Sequence, residues 1–195
     1  MRVLVVFAHP VETSFAAALH GRVVDTLAAS GHEIDDLDLY AEGFDPVLGR
    51  DERLAYHDLE RNRTAVRAYV ERLQAADALV LCFPTWCFGP PAILKGFLDR
   101  TMLPGVAFDL SDPARVRPML GHIRRVAAVV TYGRPRRVAW WMGDPPRKLV
   151  TRYLRWFVAR RAPVDYLALY DMNTANDARR TAFLARVERH FAWFG

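Results

Sequence analysis

Apolar runs alternate with amphipathic segments five times along the 195 residues, and this alternation constrains the fold more than any other feature. The runs at 2–7 and 78–83 are continuous rather than alternating, which is typical of strands buried on both faces of a parallel sheet. Parallel strands need helical crossovers, and right-handed crossovers place helices on both faces. The sequence therefore predicts a three-layer, doubly wound α/β fold, in a single domain over residues 1–195.

The other predicted elements continue the same alternation. Predicted strands also cover 33–39, 125–131 and 164–170, and predicted helices cover 14–30, 61–76, 91–100, 146–160 and 177–194. Ser14 is predicted to cap the first helix, and Gly31 to supply the left-handed residue just past its end. The strand at 33–39 is more polar than the rest, which indicates an edge position, and segment 41–58 is predicted to be irregular.

Composition and cysteine usage narrow the class of protein. Hydrophobic residues make up 52% and charged residues 25% of the chain, and no apolar run approaches the roughly 20 residues that span a bilayer. The apolar stretch before His9 is too short for a signal peptide. Two cysteines, Cys82 and Cys87, fit a reducing compartment and lack the spacing of a zinc site. We expect a cytoplasmic protein that neither spans a membrane nor holds a metal.

Basic residues concentrate between positions 132 and 163, within a chain of net charge +5. They are Arg134, Arg136, Arg137, Arg147, Lys148, Arg152, Arg155, Arg160 and Arg161. Such a cluster fits a nucleic acid, an anionic membrane surface or a phosphorylated small molecule, and it also fits a solvated helix face. Since no recognition helix or base-stacking motif accompanies it, we do not expect nucleic acid as the partner.

Ligands of doubly wound folds bind beyond the carboxyl ends of the strands, and the loop after the first strand is one candidate. Its segment 8–15 leads into a helix N-terminus, where free N–H groups favour an anion. Thr13 and Ser14 add hydroxyl groups, and His9 adds a ring nitrogen. The loop fits a phosphate, but capping of the helix by Ser14 explains the same pattern. Neither the Rossmann fingerprint nor the P-loop motif is present.

The loop after the third strand, at 84–91, is rigid, aromatic and nearly uncharged. Prolines at 84, 90 and 91 restrict its backbone, and Trp86 and Phe88 offer flat apolar surface. The N–H groups of residues 85–89 are free to point inward. These properties suit a planar heterocycle edged with carbonyls and ring nitrogens, such as an isoalloxazine. The alternative is a hydrophobic loop covered by a neighbouring helix or subunit.

The loop after the fourth strand gives a weaker signal. Gly133 permits close approach of the backbone, the Thr131 hydroxyl is placed to reach the polar edge of a ligand, and Tyr132 is placed to flank its ring. Trp86 is the other candidate for a ring-flanking residue.

At these same loops the sequence resembles a known family. The motifs AHP-x-x-x-SF, F-P-x-W-x-F-G-x-P-A-I-L-K-G-F-x-D-R and T-Y-G follow the first, third and fourth strands. They resemble the flavodoxin-like NAD(P)H:quinone oxidoreductases, which include mammalian quinone reductases, modulator-of-drug-activity proteins and ancillary flavoproteins of potassium efflux systems. The resemblance implies a flavodoxin-like strand order of 2-1-3-4-5 and a homodimer with a flavin site at each subunit boundary. It also implies ping-pong reduction of a quinone-like acceptor by NAD(P)H.

The resemblance assigns cofactor contacts position by position. These are His9, Thr13, Ser14, Phe15, Pro84, Thr85, Trp86, Phe88, Thr131, Tyr132 and Gly133, and the backbone N–H group makes Cys87 a further candidate. Arg179 lies where FAD-binding members present an arginine to the adenosine diphosphate, which favours FAD over FMN. The hydride is carried by the flavin, so no side chain is assigned with certainty as catalytic.

The chain departs from the mammalian members in one place. Those carry a Tyr and a His after the fourth-strand loop, whereas residues 134–144 here contain neither. The residues Trp140, Trp141 and Met142 fit either the wall of an apolar acceptor pocket or an ordinary interface. The main hypothesis is a two-electron NAD(P)H oxidoreductase. The alternatives are a regulatory flavoprotein that docks on a membrane transporter and a flavodoxin-type electron carrier, which the basic charge disfavours.

Overall fold

A parallel sheet of five strands forms the centre of the molecule, whose computed structural model describes residues 1–112 and 114–195. The strands are β1 (Arg2–Phe7), β2 (Glu33–Asp38), β3 (Ala78–Pro84), β4 (Arg125–Thr131) and β5 (Val164–Leu169). Every neighbouring pair is parallel and the order is β2-β1-β3-β4-β5. The predicted order 2-1-3-4-5 is confirmed, and the polar second strand lies at an edge.

Helices connect the strands on both sides of this sheet. They are α1 (Phe15–Ala29), α2 (Arg50–Leu54), α3 (Arg67–Ala75), α4 (Ala92–Thr101), α5 (Arg136–Trp141), α6 (Pro145–Lys148), α7 (Arg155–Phe157) and α8 (Asp177–Phe191). A π-helix, Leu149–Leu154, joins α6 to α7, so helical backbone runs through 145–157. The predicted helix at 146–160 was therefore three residues too long, and α2 and α5 were not predicted.

The two faces of the sheet are covered by two separate apolar layers. On one face, Val3 and Val5 of β1 pack with α1 and α8, while on the other Leu4 and Val6 pack with α3 and α4. The helix side chains in these layers are Leu19, Val23, Leu27, Phe183, Val187 and Phe191 on the first face, and Val70, Leu73, Leu94 and Phe97 on the second. Burial on both faces explains why β1 and β3 are continuous apolar runs.

The ends of α1 match the predicted capping pattern. The Ser14 hydroxyl accepts a hydrogen bond from the Ala17 N–H at 3.1 Å, and Gly31 has a left-handed φ of 79° just past the helix. Across the parts of the chain that the structure describes, the helices are too short or too polar to cross a membrane.

Segment 41–58 packs on α4 and fixes the position of that helix. A Cβ built on Gly96 of α4 would lie 2.2 Å from the Pro46 carbonyl oxygen, so only glycine fits at this contact. The buried Arg100 guanidinium donates to Glu52 at 2.9 Å and to the Asp45 carbonyl. Because α4 begins directly after the third-strand loop, these contacts also fix the end of that loop.

Candidate functional site

Three loops meet at the carboxyl edge of the sheet, where the central strands β1, β3 and β4 end. The Ala8 N–H donates to the Cys82 carbonyl at 3.1 Å, and the Thr85 N–H donates to the Thr131 carbonyl at 2.8 Å. The His9 and Trp86 rings lie 5.8 Å apart between centroids. The residues predicted for the site from three distant sequence motifs are therefore neighbours in space.

The first-strand loop uses some of its predicted ligand groups internally. His9 Nδ1 accepts a hydrogen bond from the Val11 N–H at 3.0 Å, and the Ser14 hydroxyl caps α1. Among the described residues, the N–H groups of Phe15 and Ala16 have no acceptor. Together with His9 Nε2 and the exposed Thr13, these N–H groups at a helix N-terminus form a donor set suited to an anion.

The third-strand loop closes on itself in a tight two-residue turn. The Trp86 N–H donates to the Gly89 carbonyl at 3.0 Å, and the Gly89 N–H donates to the Trp86 carbonyl at 2.8 Å. The central residues, Cys87 and Phe88, have φ values of 50° and 58°. Left-handed backbone costs a residue with a side chain about 1–2 kcal/mol. The turn is thus held in a strained form that Asn-Gly or Gly-Gly usually adopts.

The prediction that all N–H groups of residues 85–89 face a ligand is corrected in part. The N–H groups of Thr85, Trp86 and Gly89 donate to carbonyl groups of the chain itself. Within the described residues, the N–H groups of Cys87 and Phe88 have no acceptor. Trp86 is 41% exposed beside them. The loop therefore presents two backbone donors next to one flat aromatic surface.

The fourth-strand loop lies against the third-strand loop. A cavity of about 120 Å³ separates them, lined by Thr85, Cys87, Phe88, Tyr132, Gly133 and Arg134. A Cβ on Gly133 would lie 3.2 Å from the Asn173 side chain. Glycine therefore allows the loop to pack closely against Asn173. Thr131 is buried and continues the β4 pairing with Pro84.

The Tyr132 ring, which was predicted to flank a ligand ring, lies inside the protein. Its side chain is 1% exposed, and its ring stacks on Tyr170 with centroids 4.5 Å apart. The hydroxyl donates to Asp144 at 2.6 Å and contacts the Tyr166 hydroxyl at 2.5 Å. The β-strand alternation after the buried Thr131 turns this ring into the protein, so Tyr132 supports the loop from beneath.

A polar network around Tyr132 was not predicted. It consists of Tyr132, Asp144, Arg147, Tyr166 and Tyr170. Burial is the main cause that raises the pKa of both Tyr132 and Tyr166, so both hydroxyls remain protonated. The one sequence signal for this network is Gly143-Asp144 before two prolines. It predicts a turn but not the residues that bond to Asp144.

Four arginines surround the edge of the site. Arg179, in the first turn of α8, donates to the Tyr170 carbonyl at 3.0 Å. Arg134 precedes α5, and Arg136 and Arg137 lie on it, all three exposed. Within residues 1–112 and 114–195 none of those three forms an ion pair. The edge is therefore positively charged.

Comparison with known proteins identifies the family to which the chain belongs. Residues 1–191 match the model of a protein family described as having a flavodoxin-like fold. The chain belongs to this flavodoxin-like family. Its sheet order and the position of its loops are those expected from the sequence motifs.

Relatives and solved structures agree with this family. NAD(P)H dehydrogenase [quinone] 1 of Rattus norvegicus is 34% identical over 124 residues, which cover 55% of this chain and 45% of that protein. The chain thus spans about half the length of the curated relatives it matches. Smu.1420 of Streptococcus mutans UA159 superposes with a TM-score of 0.84 at 28% identity, over 98% of this chain and 99% of that one. The NAD(P)H:quinone oxidoreductase of Methanothermobacter marburgensis superposes with a TM-score of 0.85 at 24% identity, over 100% and 99%.

Proposed function

We propose that this flavodoxin-like protein is a flavin-dependent NAD(P)H oxidoreductase that reduces quinones or similar acceptors by two electrons. The observation that carries the proposal is the third-strand loop, where two N–H groups of a strained turn have no acceptor among the described residues and lie beside an exposed tryptophan. Strained backbone persists where the surrounding structure enforces it, and it clusters at ligand sites. The rat relative is named as an NAD(P)H dehydrogenase of quinone, which supports this substrate class.

The donor set of the site fits a flavin. The N–H groups of Cys87 and Phe88 suit the carbonyl and ring-nitrogen edge of an isoalloxazine, and Trp86 suits its face. The N–H groups of Phe15 and Ala16, with Thr13 and His9 Nε2, suit its phosphate. Pro84, Thr85 and Thr131 complete the floor of the site. When bound, a flavin accepts a hydride equivalent from NAD(P)H and passes it to the acceptor.

We propose FAD as the flavin, with FMN as the alternative. Arg179 supports FAD because it lies at the same edge of the sheet as the fourth-strand loop and is exposed. Its guanidinium bonds a carbonyl rather than a carboxylate, so its charge remains available to a second phosphate. Titration of the apoprotein with each flavin decides between them, and Arg179→Ala should weaken FAD more than FMN.

We propose a homodimer with the flavin sites at the subunit boundary. The cavity of about 120 Å³ is smaller than the roughly 300–1,000 Å³ of usual ligand pockets, which suits a site completed by a second subunit. Large apolar side chains are also exposed in the third-strand loop and between residues 140 and 156, and such patches mark contacts. They are Trp86, Trp140, Trp141, Met142, Tyr153 and Trp156. Sedimentation should show a dimer at micromolar concentration, and a species of 22.2 kDa alone would contradict it.

The donor and the acceptor share one face of the site in this proposal. The chain offers one set of converging loops and no separate dinucleotide fingerprint. Arg134, Arg136 and Arg137 support NADPH as the better donor, because a phosphate at the mouth would meet guanidiniums that form no ion pair within the described residues. Exposure weakens such contacts, so we expect a preference of roughly tenfold at most. We also place the protein in the cytoplasm, which its two free cysteines fit.

Purification and steady-state kinetics test this function. The purified protein should be yellow, or become so when flavin is added, and it should oxidise NADPH with a soluble quinone. Double-reciprocal plots should be parallel, whereas intersecting lines would exclude a shared site. A protein that neither co-purifies with flavin nor binds added flavin would overturn the proposal.

A further inference from the structure

The polar network beneath the fourth-strand loop joins five elements of the chain. Tyr132 follows β4, Asp144 and Arg147 belong to the turn before α6 and to α6 itself, Tyr166 lies in β5, and Tyr170 follows it. Asp144 accepts from the Tyr132 hydroxyl at 2.6 Å and from Arg147 Nε at 3.2 Å. Arg147 also donates to the Tyr170 hydroxyl at 3.2 Å and lies 4.4 Å from the centre of the Tyr166 ring.

The hydrogen bonds of this network have a fixed direction. A carboxylate only accepts, so the single Tyr132 proton points at Asp144. The 2.5 Å contact between the two tyrosine hydroxyls must then be donated by Tyr166. Asp144 is thus the common acceptor, and Tyr132 is the link between it and the sheet.

The helix α5 has little apolar packing to fix its position. Of its six residues, all of which the structure describes, only Ala139 is buried, so apolar packing does little to hold the helix. Its N-terminal end is held by the bond from the Asp171 N–H to the Arg134 carbonyl at 3.0 Å. Its C-terminal end runs into Gly143 and Asp144, two successive left-handed residues with φ of 83° and 46°. The Asp144 carboxylate anchors that reversal.

We propose that Tyr132 and Asp144 form a clamp that positions α5, and with it Arg136 and Arg137, for selection of NADPH over NADH. Both are positioning residues, since Tyr132 is buried and the Asp144 carboxylate accepts hydrogen bonds from Tyr132 and Arg147. The inference rests on the proposed function in so far as the arginines of α5 contact the donor's additional phosphate. The clamp itself is a property of the chain and can be tested without any flavin.

Two tyrosine variants separate the clamp from a general loss of packing. Tyr132→Phe and Tyr166→Phe each remove one hydroxyl and the same Tyr132–Tyr166 hydrogen bond, but only Tyr132→Phe breaks the bond to Asp144. We expect trypsin to cut native Tyr132→Phe after Arg136 and Arg137 at least fivefold faster than it cuts the wild type. Tyr166→Phe should be cut at the wild-type rate. Asp144→Gly, which keeps the left-handed backbone free of strain, should behave like Tyr132→Phe.

Donor kinetics give the second readout. The ratio of kcat/KM for NADPH to that for NADH should fall at least threefold towards unity in Asp144→Gly, through a higher KM for NADPH. The KM for NADH should change less than twofold, and Tyr166→Phe should keep the wild-type ratio. A merely structural role would lower both donors' kcat/KM together.

The outcomes distinguish the clamp from the proposed function. If the wild type oxidises neither donor, the proposed function fails, while the trypsin experiment still decides whether Asp144 holds α5. Equal cleavage in wild type, Tyr132→Phe and Asp144→Gly would overturn the clamp. Faster cleavage with an unchanged donor ratio would overturn its role in donor selection.

Discussion

The motif that follows the third strand has two halves, a loop and a helix, which differ in exposure, backbone strain and packing. The loop half, 84–91, contains the exposed Trp86 and a turn with two strained residues. The helix half, 92–100, contains Gly96 against the backbone of Pro46 and the buried Arg100 bonded to Glu52. Among the described residues, the loop half leaves the N–H groups of Cys87 and Phe88 unpaired in a strained turn, whereas the helix half packs tightly and pairs its buried arginine.

This difference indicates that the two halves of the motif serve different purposes, packing of the fold and binding of a ligand. The residues of the helix half are fixed by contacts with segment 41–58, which would exist without any ligand. The loop half closes its turn with the Trp86–Gly89 hydrogen bonds, yet it holds Cys87 and Phe88 in a left-handed conformation beside the exposed Trp86, which points to a ligand. A resemblance over the whole motif therefore supports the fold through its second half and the function through its first.

Two glycine variants, one in each half, should show the largest contrast. Alanine at Gly96 would place a Cβ 2.2 Å from the Pro46 carbonyl oxygen, so backbone must move. We expect Gly96→Ala to lower the free energy of unfolding by about 3 kcal/mol. Alanine at Gly89 would meet its nearest atom, the Trp86 carbonyl oxygen, at 3.6 Å, so Gly89→Ala should change stability by less than about 0.5 kcal/mol.

Urea denaturation of the two glycine variants measures this difference. Equal midpoints for Gly96→Ala and Gly89→Ala would remove the distinction between a packed and an open half of the motif.

Relief of strain in the loop half should have a smaller effect, of opposite sign. Glycine adopts the left-handed backbone of Cys87 without penalty, and the exposed Cys87 side chain has little packing to lose. We expect Cys87→Gly to raise the free energy of unfolding by about 1 kcal/mol. Cys87→Ala, which keeps the strain, is the matched control and should give no gain. A loss of stability in Cys87→Gly would show that the turn is not strained.

The two cysteines of the motif should differ in reactivity, and this can be measured on the wild-type protein without any substitution. Burial in β3 raises the pKa of the Cys82 thiol far above its usual range, so its thiolate is suppressed. Cys87 is exposed in the loop. We expect native protein to take up one equivalent of iodoacetamide, at Cys87, more slowly when flavin is present. Mass spectrometry of the digested protein locates the label, and labelling of native Cys82 would contradict the buried strand.

Much of the fold was predictable because buried strands and helices have recognisable local patterns of apolar residues. The apolar runs of β1, β3 and β4 and the stripe on α1 indicated the layers, and the resemblance of the loop motifs indicated the strand order. The short helices α2 and α5 were missed because α2 buries no residue and α5 buries only Ala139, so neither carries an apolar stripe. The helix at 145–157 was predicted with a late end because Val158 is extended and forms a bridge with the distant Leu120, a partner that no local pattern shows.

The site was predictable at the level of loops but not of side-chain direction. Strand ends placed residues 8–15, 84–91 and 131–133 at one edge. The left-handed turn at Cys87 and Phe88 escaped prediction because neither residue favours that conformation. The inward direction of Tyr132 depends on Tyr166, 34 residues away, and on Asp144, so no local pattern contains it.

A flavin titration of two tryptophan variants tests the central claim that the loop half of the motif holds the cofactor. Trp86 is 41% exposed at the carboxyl edge, and Trp193 is 85% exposed near the chain end. Quenching of flavin fluorescence should show binding to the wild type, about tenfold weaker binding to Trp86→Ala, and wild-type affinity for Trp193→Ala. Equal affinities of the wild type and Trp86→Ala, or no binding to the wild type, would contradict the claim.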